Sequence, residues 1–254
     1  MRRNRTESLA GKESLARKIR IILPTYNERE NLGLLIPEIF KILKKNNLSS
    51  DVLIVDDNSP DGTANLAEEL SKKYPIKVIK RSGKMGLGSA YILGFKESLK
   101  DGKDVVFEMD ADLSHNPDYI PEFVEKLEHG FDVVIGSRTD GGKVIGWDWY
   151  RKMVSWGGNF IGRTLAGIKV NDLTTGYRAY KRAVLESINL DKINSEGYAF
   201  QLEILARALN KGFRVRPIPI VFEDRRKGKS KLSRRDMLEF LLIALKIRLG
   251  KLKG

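Results

Sequence analysis

The chain predicts an α/β fold: a single domain with a mostly parallel central sheet and helices on both faces. Three observations carry this. Short apolar runs that do not alternate in polarity are separated by segments with helical spacing, the pattern of strands buried on both faces. Each early run ends in a dense polar or glycine cluster. The 254 residues, 41% of them hydrophobic, are enough for one domain with a sizeable core.

Residues 1–17 are polar apart from Leu9 and Leu15 and read as an arm or weak helix. Residues 19–23 form an apolar run closed by Pro24, a first strand. Helical spacing follows over 28–45, with Leu32, Leu35, Ile36, Ile39, Phe40 and Leu43 on one stripe. A second strand at 52–55 runs into Asp56, Asp57 and the turn cluster through Gly62. A helix is predicted at 63–74, a third strand at 76–79, and a helix opened by the glycine loop 83–88. A fourth strand at 105–109 leads into Asp110-Ala111-Asp112. A helix at 121–129 and a strand at 133–135 complete the regular part. After 140 the rhythm breaks. Glycines at 141, 142, 146, 157, 158, 162 and 167 punctuate a helix-like stretch carrying Trp147, Trp149 and Trp156, which suits either a core or an interfacial surface. Helices at 181–189 and 198–211 precede a strand at 213–222, whose Pro217 and Pro219 place it at a sheet edge.

The net charge of +13 is concentrated at the ends. Residues 1–20 carry +5 and residues 225–254 carry +9, leaving the body at −1. Basic ends suit a polyanion, either nucleic acid or an anionic membrane surface. With no cysteine, a disulfide scaffold, a thiolate-held zinc and a thiol nucleophile are excluded. No run reaches the ~18–20 apolar residues of a membrane span, and the charged N-terminus lacks a signal-peptide core. The expected location is the cytosolic side.

In a parallel sheet, ligands sit beyond the C-terminal strand ends, where the polar clusters fall: Tyr26, Asn27 and Glu28; Asp56 and Asp57; the 83–88 loop; Asp110 and Asp112. Carboxylates two apart on an extended backbone share a side and repel each other unless a cation intervenes. A hard ion such as Mg²⁺ or Mn²⁺, shared with phosphate oxygens, fits. The 83–88 loop is similar to a phosphate cradle at a helix N-terminus. Asp57 reads as a base- or ribose-binding acid, or as a helix cap, a task Asp61 or Ser59 would also serve. His115 reads as a local hydrogen-bonding group. Arg138, Arg225, Arg226, Lys229 and Lys231 are phosphate-ligand candidates. Residues 228–230 mimic a P-loop, but Glu223 stands where its first glycine is needed.

These segments resemble family 2 GT-A (Rossmann-like) glycosyltransferases at 24–28 and 55–63. The 86–88, 110–115, 136–138, 146–152, 172–178 and 222–231 segments resemble, more narrowly, the dolichol-phosphate mannosyltransferases. The match runs in order from about 19 to 232. With the charge and apolar patterning of the ends, this divides the chain into a basic arm at 1–18, a GT-A domain at 19–232 and a basic amphipathic helix at 233–254. The resemblance implies transfer of mannose from GDP-mannose to dolichyl or polyprenyl phosphate, with inversion to a β-linked product. Pro24, Tyr26, Glu28, Val55 and Asp57 correspond to nucleotide contacts. Asp110 and Ala111 flank the sugar diphosphate, and Asp112 holds Mg²⁺ or Mn²⁺. Arg138, Arg225 and Lys231 correspond to phosphate or donor contacts. Some relatives carry Gln as a metal ligand where this chain has Ser114, a weaker one.

A phosphate monoester is largely dianionic at neutral pH, so no dedicated base is assigned. The 237–252 segment is mostly apolar, with a polar stripe at Arg235, Glu239, Lys246 and Lys253. Such a helix lies on a bilayer, packs on a partner helix or caps the core; peripheral attachment to the cytoplasmic face of a membrane, with a small membrane anchor subunit as a candidate partner, is the expectation. Two alternatives stay open: a relative using UDP-glucose or another donor, and a nucleic-acid binder, against which the near-neutral body argues.

Overall fold

The computed structural model describes residues 18–224 and 233–252. The expected arm at 1–17 lies outside them, as do Arg225, Arg226, Lys229, Lys231 and Lys253. Four parallel strands form the first half: β1 (Ile19–Thr25), β2 (Ser50–Asp56), β3 (Ile76–Lys80) and β4 (Val105–Glu108). They are joined by α1 (Arg29–Lys45), α2 (Thr63–Leu70) and α3 (Leu87–Lys100); α4 (Ile120–Glu128) leads to β5 (Val133–Ser137). The α1 stripe buries Leu32, Leu35, Ile36, Ile39 and Leu43, as its spacing predicts.

The second half departs from expectation. Residues 143–145 are a strand, β6 (Lys143–Ile145), and the helix α5 (Trp149–Ala166) begins only where Asp148 Oδ1 accepts the Arg151 N–H at 2.7 Å. A strand not anticipated, β7 (Arg178–Lys181), inserts antiparallel between β4 and β5. Its first residue is an arginine, fully buried because its guanidinium donates to the carbonyls of Leu173, Thr175 and Gln201 at 2.7–2.9 Å. After α6 (Arg182–Ser187) and α7 (Gly197–Asn210), the expected 213–222 strand is two: β8 (Val215–Pro219) and β9 (Val221–Glu223). The seven-stranded order is β3-β2-β1-β4-β7-β5-β8, so the proline-bearing β8 is indeed an edge; β6 and β9 form a separate two-stranded ribbon. The sheet is mostly parallel, with β7 its antiparallel member.

The last helix, α8 (Arg234–Arg248), starts at a Ser233/Asp236 capping box. It packs on α5 and α7, burying Phe240, Ile243 and Ala244 while Met237, Leu238, Leu241, Leu242 and Leu245 remain exposed. No helix among the described residues is long and apolar enough to cross a membrane.

Candidate active site

The register Thr25↔Asp56 brings the ends of β1 and β2 level. Asp56 is 1% exposed and accepts from Thr25 Oγ1 (2.9 Å), Ser59 N–H (2.9 Å) and Ser59 Oγ (2.6 Å), so it shapes the loop. The α2 entry belongs to Asp61, which accepts the Thr63 N–H at 3.0 Å. Asp57 instead reaches across to the glycine loop, accepting from Arg81 Nε and from the Met85 N–H at 3.1 Å. Tyr26 is 40% exposed, with the Lys84 ammonium 4.5 Å from its ring centroid. Glu28 accepts from Asn31 Nδ2 at 2.6 Å. Pro24 pairs with Val55 in the ladder. The Val55 side chain is fully buried, and Ala111 is 3% exposed. Their side chains belong to the core.

The glycine loop requires a correction. The N-terminus of α3, expected to cradle a phosphate, is occupied by the chain's own Glu196. Its carboxylate accepts the Gly88 N–H at 2.7 Å and the Ser89 N–H at 3.1 Å. A Cβ on Gly88 would stand 2.7 Å from the Ser195 carbonyl oxygen, so the close approach requires glycine. An internal anion satisfies the helix dipole there.

At the end of β4, Asp110 and Asp112 sit on a turn with Leu113 at φ +67°. Ser114 donates both its N–H (3.1 Å) and its hydroxyl (2.5 Å) to Asp112 Oδ1, so it orients that carboxylate. Tyr91 donates to Asp110 Oδ1 at 3.3 Å. The Asp110 N–H donates to His115 Nδ1 at 3.0 Å. His115 is 1% exposed and stacked on Tyr177, and burial holds its pKa below the usual histidine range. It anchors the turn, as its sequence position suggested. Beneath lies Glu108, fully buried, accepting from Tyr180 (2.9 Å) and Gln201 (2.7 Å); burial pushes its pKa up to about 7, against the nearby Arg178. Among the described residues no three His, Asp or Glu side chains form a ready-made metal cage. One buried, oriented carboxylate with a more open one two residues away suits a hard ion whose shell is completed by phosphate oxygens and water.

Arg138 follows β5. Its guanidinium is bound bidentately by Asp172 (2.7 and 2.8 Å) and also donates to Thr174 Oγ1 at 2.7 Å; both members of the pair are buried. Arg138 therefore already has a carboxylate partner, and its charge is neutralised within the chain. It lines a cavity of about 560 Å³ between α5 and α8. Trp147 lies under two cations there, with Arg138 5.6 Å and Arg151 4.2 Å from its ring. Its indole N–H is buried without a hydrogen-bond partner among the described residues. Trp149 and Trp156, by contrast, are 74% and 64% exposed.

Asp172, Glu108 and Glu196 were not singled out by sequence reasoning. Asp172 opens the 172–178 motif and was legible there as an acid without a role. Glu196 lies 108 residues from Gly88, and nothing local marks it.

The sheet order and the polar strand ends define a GT-A-type nucleotide-sugar transferase architecture. The chain belongs to glycosyl transferase family 2, whose model matches residues 20–188. It is 44% identical over 216 residues to the polyprenol monophosphomannose synthase of Mycolicibacterium smegmatis, covering 84% of this chain and 80% of that protein. It is 43% identical over 218 residues to the undecaprenyl-phosphate mannosyltransferase of Micrococcus luteus, covering 85% and 88%. Glucosyl-3-phosphoglycerate synthase of Mycobacterium tuberculosis, solved with phosphoglyceric acid, superposes with a TM-score of 0.67 at 20% identity, covering 92% of this chain and 80% of that one.

Proposed function

We propose that this chain transfers mannose from GDP-mannose to the phosphate of a polyprenyl (dolichyl-type) lipid, with inversion at the anomeric carbon. The observation that carries the reading is the α5–α8 cavity. It is mostly apolar, and Trp147 lines it together with Arg138 and Arg151, which are ion-paired to Asp172 and Asp224. Such a lining suits an isoprenoid chain with an anionic head. The names of the relatives at 43–44% identity support the same lipid and sugar.

The acceptor phosphate needs no base, because its second pKa is about 6 and it is already a nucleophilic dianion at neutral pH. His115 agrees with this, since its Nδ1 is engaged and its ring is buried. The demand falls on the departing GDP. Asp112, oriented by Ser114, would hold Mg²⁺ or Mn²⁺ with Asp110 beside it; when bound, the ion neutralises charge developing on the diphosphate. Tyr26, Glu28 and Asp57, with the main chain at Pro24, Val55 and Ala111, would form the nucleotide side. Arg225 and Lys231 are proposed as further donor-phosphate cations.

The exposed faces of α5 and α8 support peripheral seating on a membrane, with Trp149, Trp156, Phe160, Leu238, Leu242 and Leu245 outward. The lipid's phosphate would then enter the cavity from the bilayer side.

The test is incubation with GDP-[¹⁴C]mannose, polyprenyl phosphate and Mg²⁺ or Mn²⁺, scoring label in the lipid extract. Label that appears only with both metal and lipid phosphate supports the reading. Preferential transfer from UDP-glucose in competition would overturn the donor assignment.

A further inference from the structure

Glu196 joins two parts of the molecule that the proposed reaction must coordinate. Its carboxylate holds the first turn of α3 through Gly88 and Ser89, and its own N–H donates to Glu239 Oε1 on α8 at 3.1 Å. The contact is close: a Cβ on Gly86 would fall 2.5 Å from the Glu196 carboxylate. From the same turn, the Gly86 carbonyl accepts from Arg81 Nη2 at 2.8 Å, and Ser89 Oγ accepts from Arg81 Nη1 at 2.6 Å. Arg81 in turn binds Asp57, whose other oxygen accepts the Met85 N–H. A continuous hydrogen-bonded path thus runs from α8, through Glu239, Glu196, the glycine loop and Arg81, to the acid at the end of β2.

The α8 end of that path is also a wall of the cavity. Asp236, Met237, Phe240 and Leu241 line it, and so does Tyr198, two residues beyond Glu196. A molecule in the cavity would therefore contact the helix that carries Glu239. We propose that Glu196 is a positioning residue for the donor loop and that Glu239 makes its placement depend on α8. Occupation of the cavity by a lipid phosphate then tightens nucleotide binding at the other end of the path. The inference rests on the cavity being the acceptor site. Coupling between two binding sites is reciprocal and typically about 5- to 150-fold, and a path of single hydrogen bonds belongs at the low end.

The test measures GDP binding to the full chain by calorimetry in Mg²⁺, with and without saturating geranyl phosphate as a short acceptor. In the wild type the Kd for GDP is expected to fall about fivefold when geranyl phosphate is present. Glu239→Leu abolishes that shift and raises the donor KM with a smaller effect on kcat. Glu239→Gln restores both, because its amide oxygen still accepts the Glu196 N–H. Glu196→Asp, whose shorter carboxylate draws back from Gly88, weakens GDP binding without acceptor and provides a second variant should Glu239→Leu fold poorly. Binding of geranyl phosphate with no change in the GDP Kd would overturn the coupling alone. Failure of geranyl phosphate to bind would overturn the acceptor reading and the coupling with it. A shift in Glu239→Leu equal to that of the wild type would remove Glu239 from the path.

Discussion

The half built on β1 to β4 and the half built from β5 to α8 handle polar groups in opposite ways. In the first, acids sit at parallel strand ends and are organised by neighbours in sequence, Asp56 by Ser59 and Asp112 by Ser114, and by the adjoining strand ends and loop, Asp56 by Thr25 and Asp57 by Arg81. In the second, charges are held by partners inside an apolar surround: Arg138 by Asp172, 34 residues on, and Arg178 by three carbonyls. The first arrangement leaves carboxylates that a cation and a diphosphate can reach. The second builds a largely apolar cavity with carboxylate-paired arginines at its edge. The difference is what a reaction between a water-soluble sugar nucleotide and a lipid phosphate requires of one domain.

The sharpest way to break the contrast is at the buried pair. Arg138→Ala leaves Asp172 as an uncompensated buried charge and is expected to cost about 3–5 kcal/mol, read as a lower urea midpoint. A loss under about 1 kcal/mol would show that Asp172 is not isolated from water. Asp112→Asn tests the other half. It keeps the side-chain shape and is expected to lower kcat by about two to three orders of magnitude, with thermal stability nearly retained. Turnover near wild type in Mg²⁺ or Mn²⁺ would remove the metal role.

Beneath both lies Glu108. Its folded pKa of about 7 stands above the ordinary 4.5. Between these values the folded state keeps a proton that the unfolded chain releases, so stability falls as pH rises through that window and is level above it. Glu108→Gln should flatten the slope by an amount on the order of a few kcal/mol, measured as urea midpoints from pH 4 to 8. An unchanged slope would show that the burial penalty is relieved by Arg178 or by water. The smallest expected effect is at the surface. Trp149→Ser combined with Trp156→Ser should reduce partition onto anionic vesicles by about tenfold, while mannosyl transfer to a detergent-solubilised acceptor persists. Equal vesicle binding would move the membrane-facing surface elsewhere.

Much of the first half was legible because its signals are local. The α1 stripe, the turn cluster after β2 and the Asp110–Asp112 pair all lie within a few residues of the structure they specify. The second half was not. β7 is four residues long and opens on an arginine, a residue that sequence patterns assign to the surface. It is buried because three carbonyls satisfy it, that of Gln201 brought in from 23 residues away. Glycines at 141, 142 and 146 read as interruptions of a helix, whereas they flank a short strand whose partner, β9, is 78 residues away. The glycine loop was misread for the same reason: its shape resembles a phosphate site, and only the folded chain shows that Glu196 fills it.

The sequence by itself determined the alternation of buried strands and helices, the edge at which polar groups gather and the family to which the chain belongs. The first two depend on periodicity and spacing along the chain, and the third on motifs that resemble a known family. Only the tertiary structure decided which of those groups remain open to a ligand. Burial and pairing depend on residues brought together from as far apart as Gly88 and Glu196, or Glu196 and Glu239. A charge keeps its freedom only when nothing opposite folds against it, and that cannot be read from its neighbours in sequence.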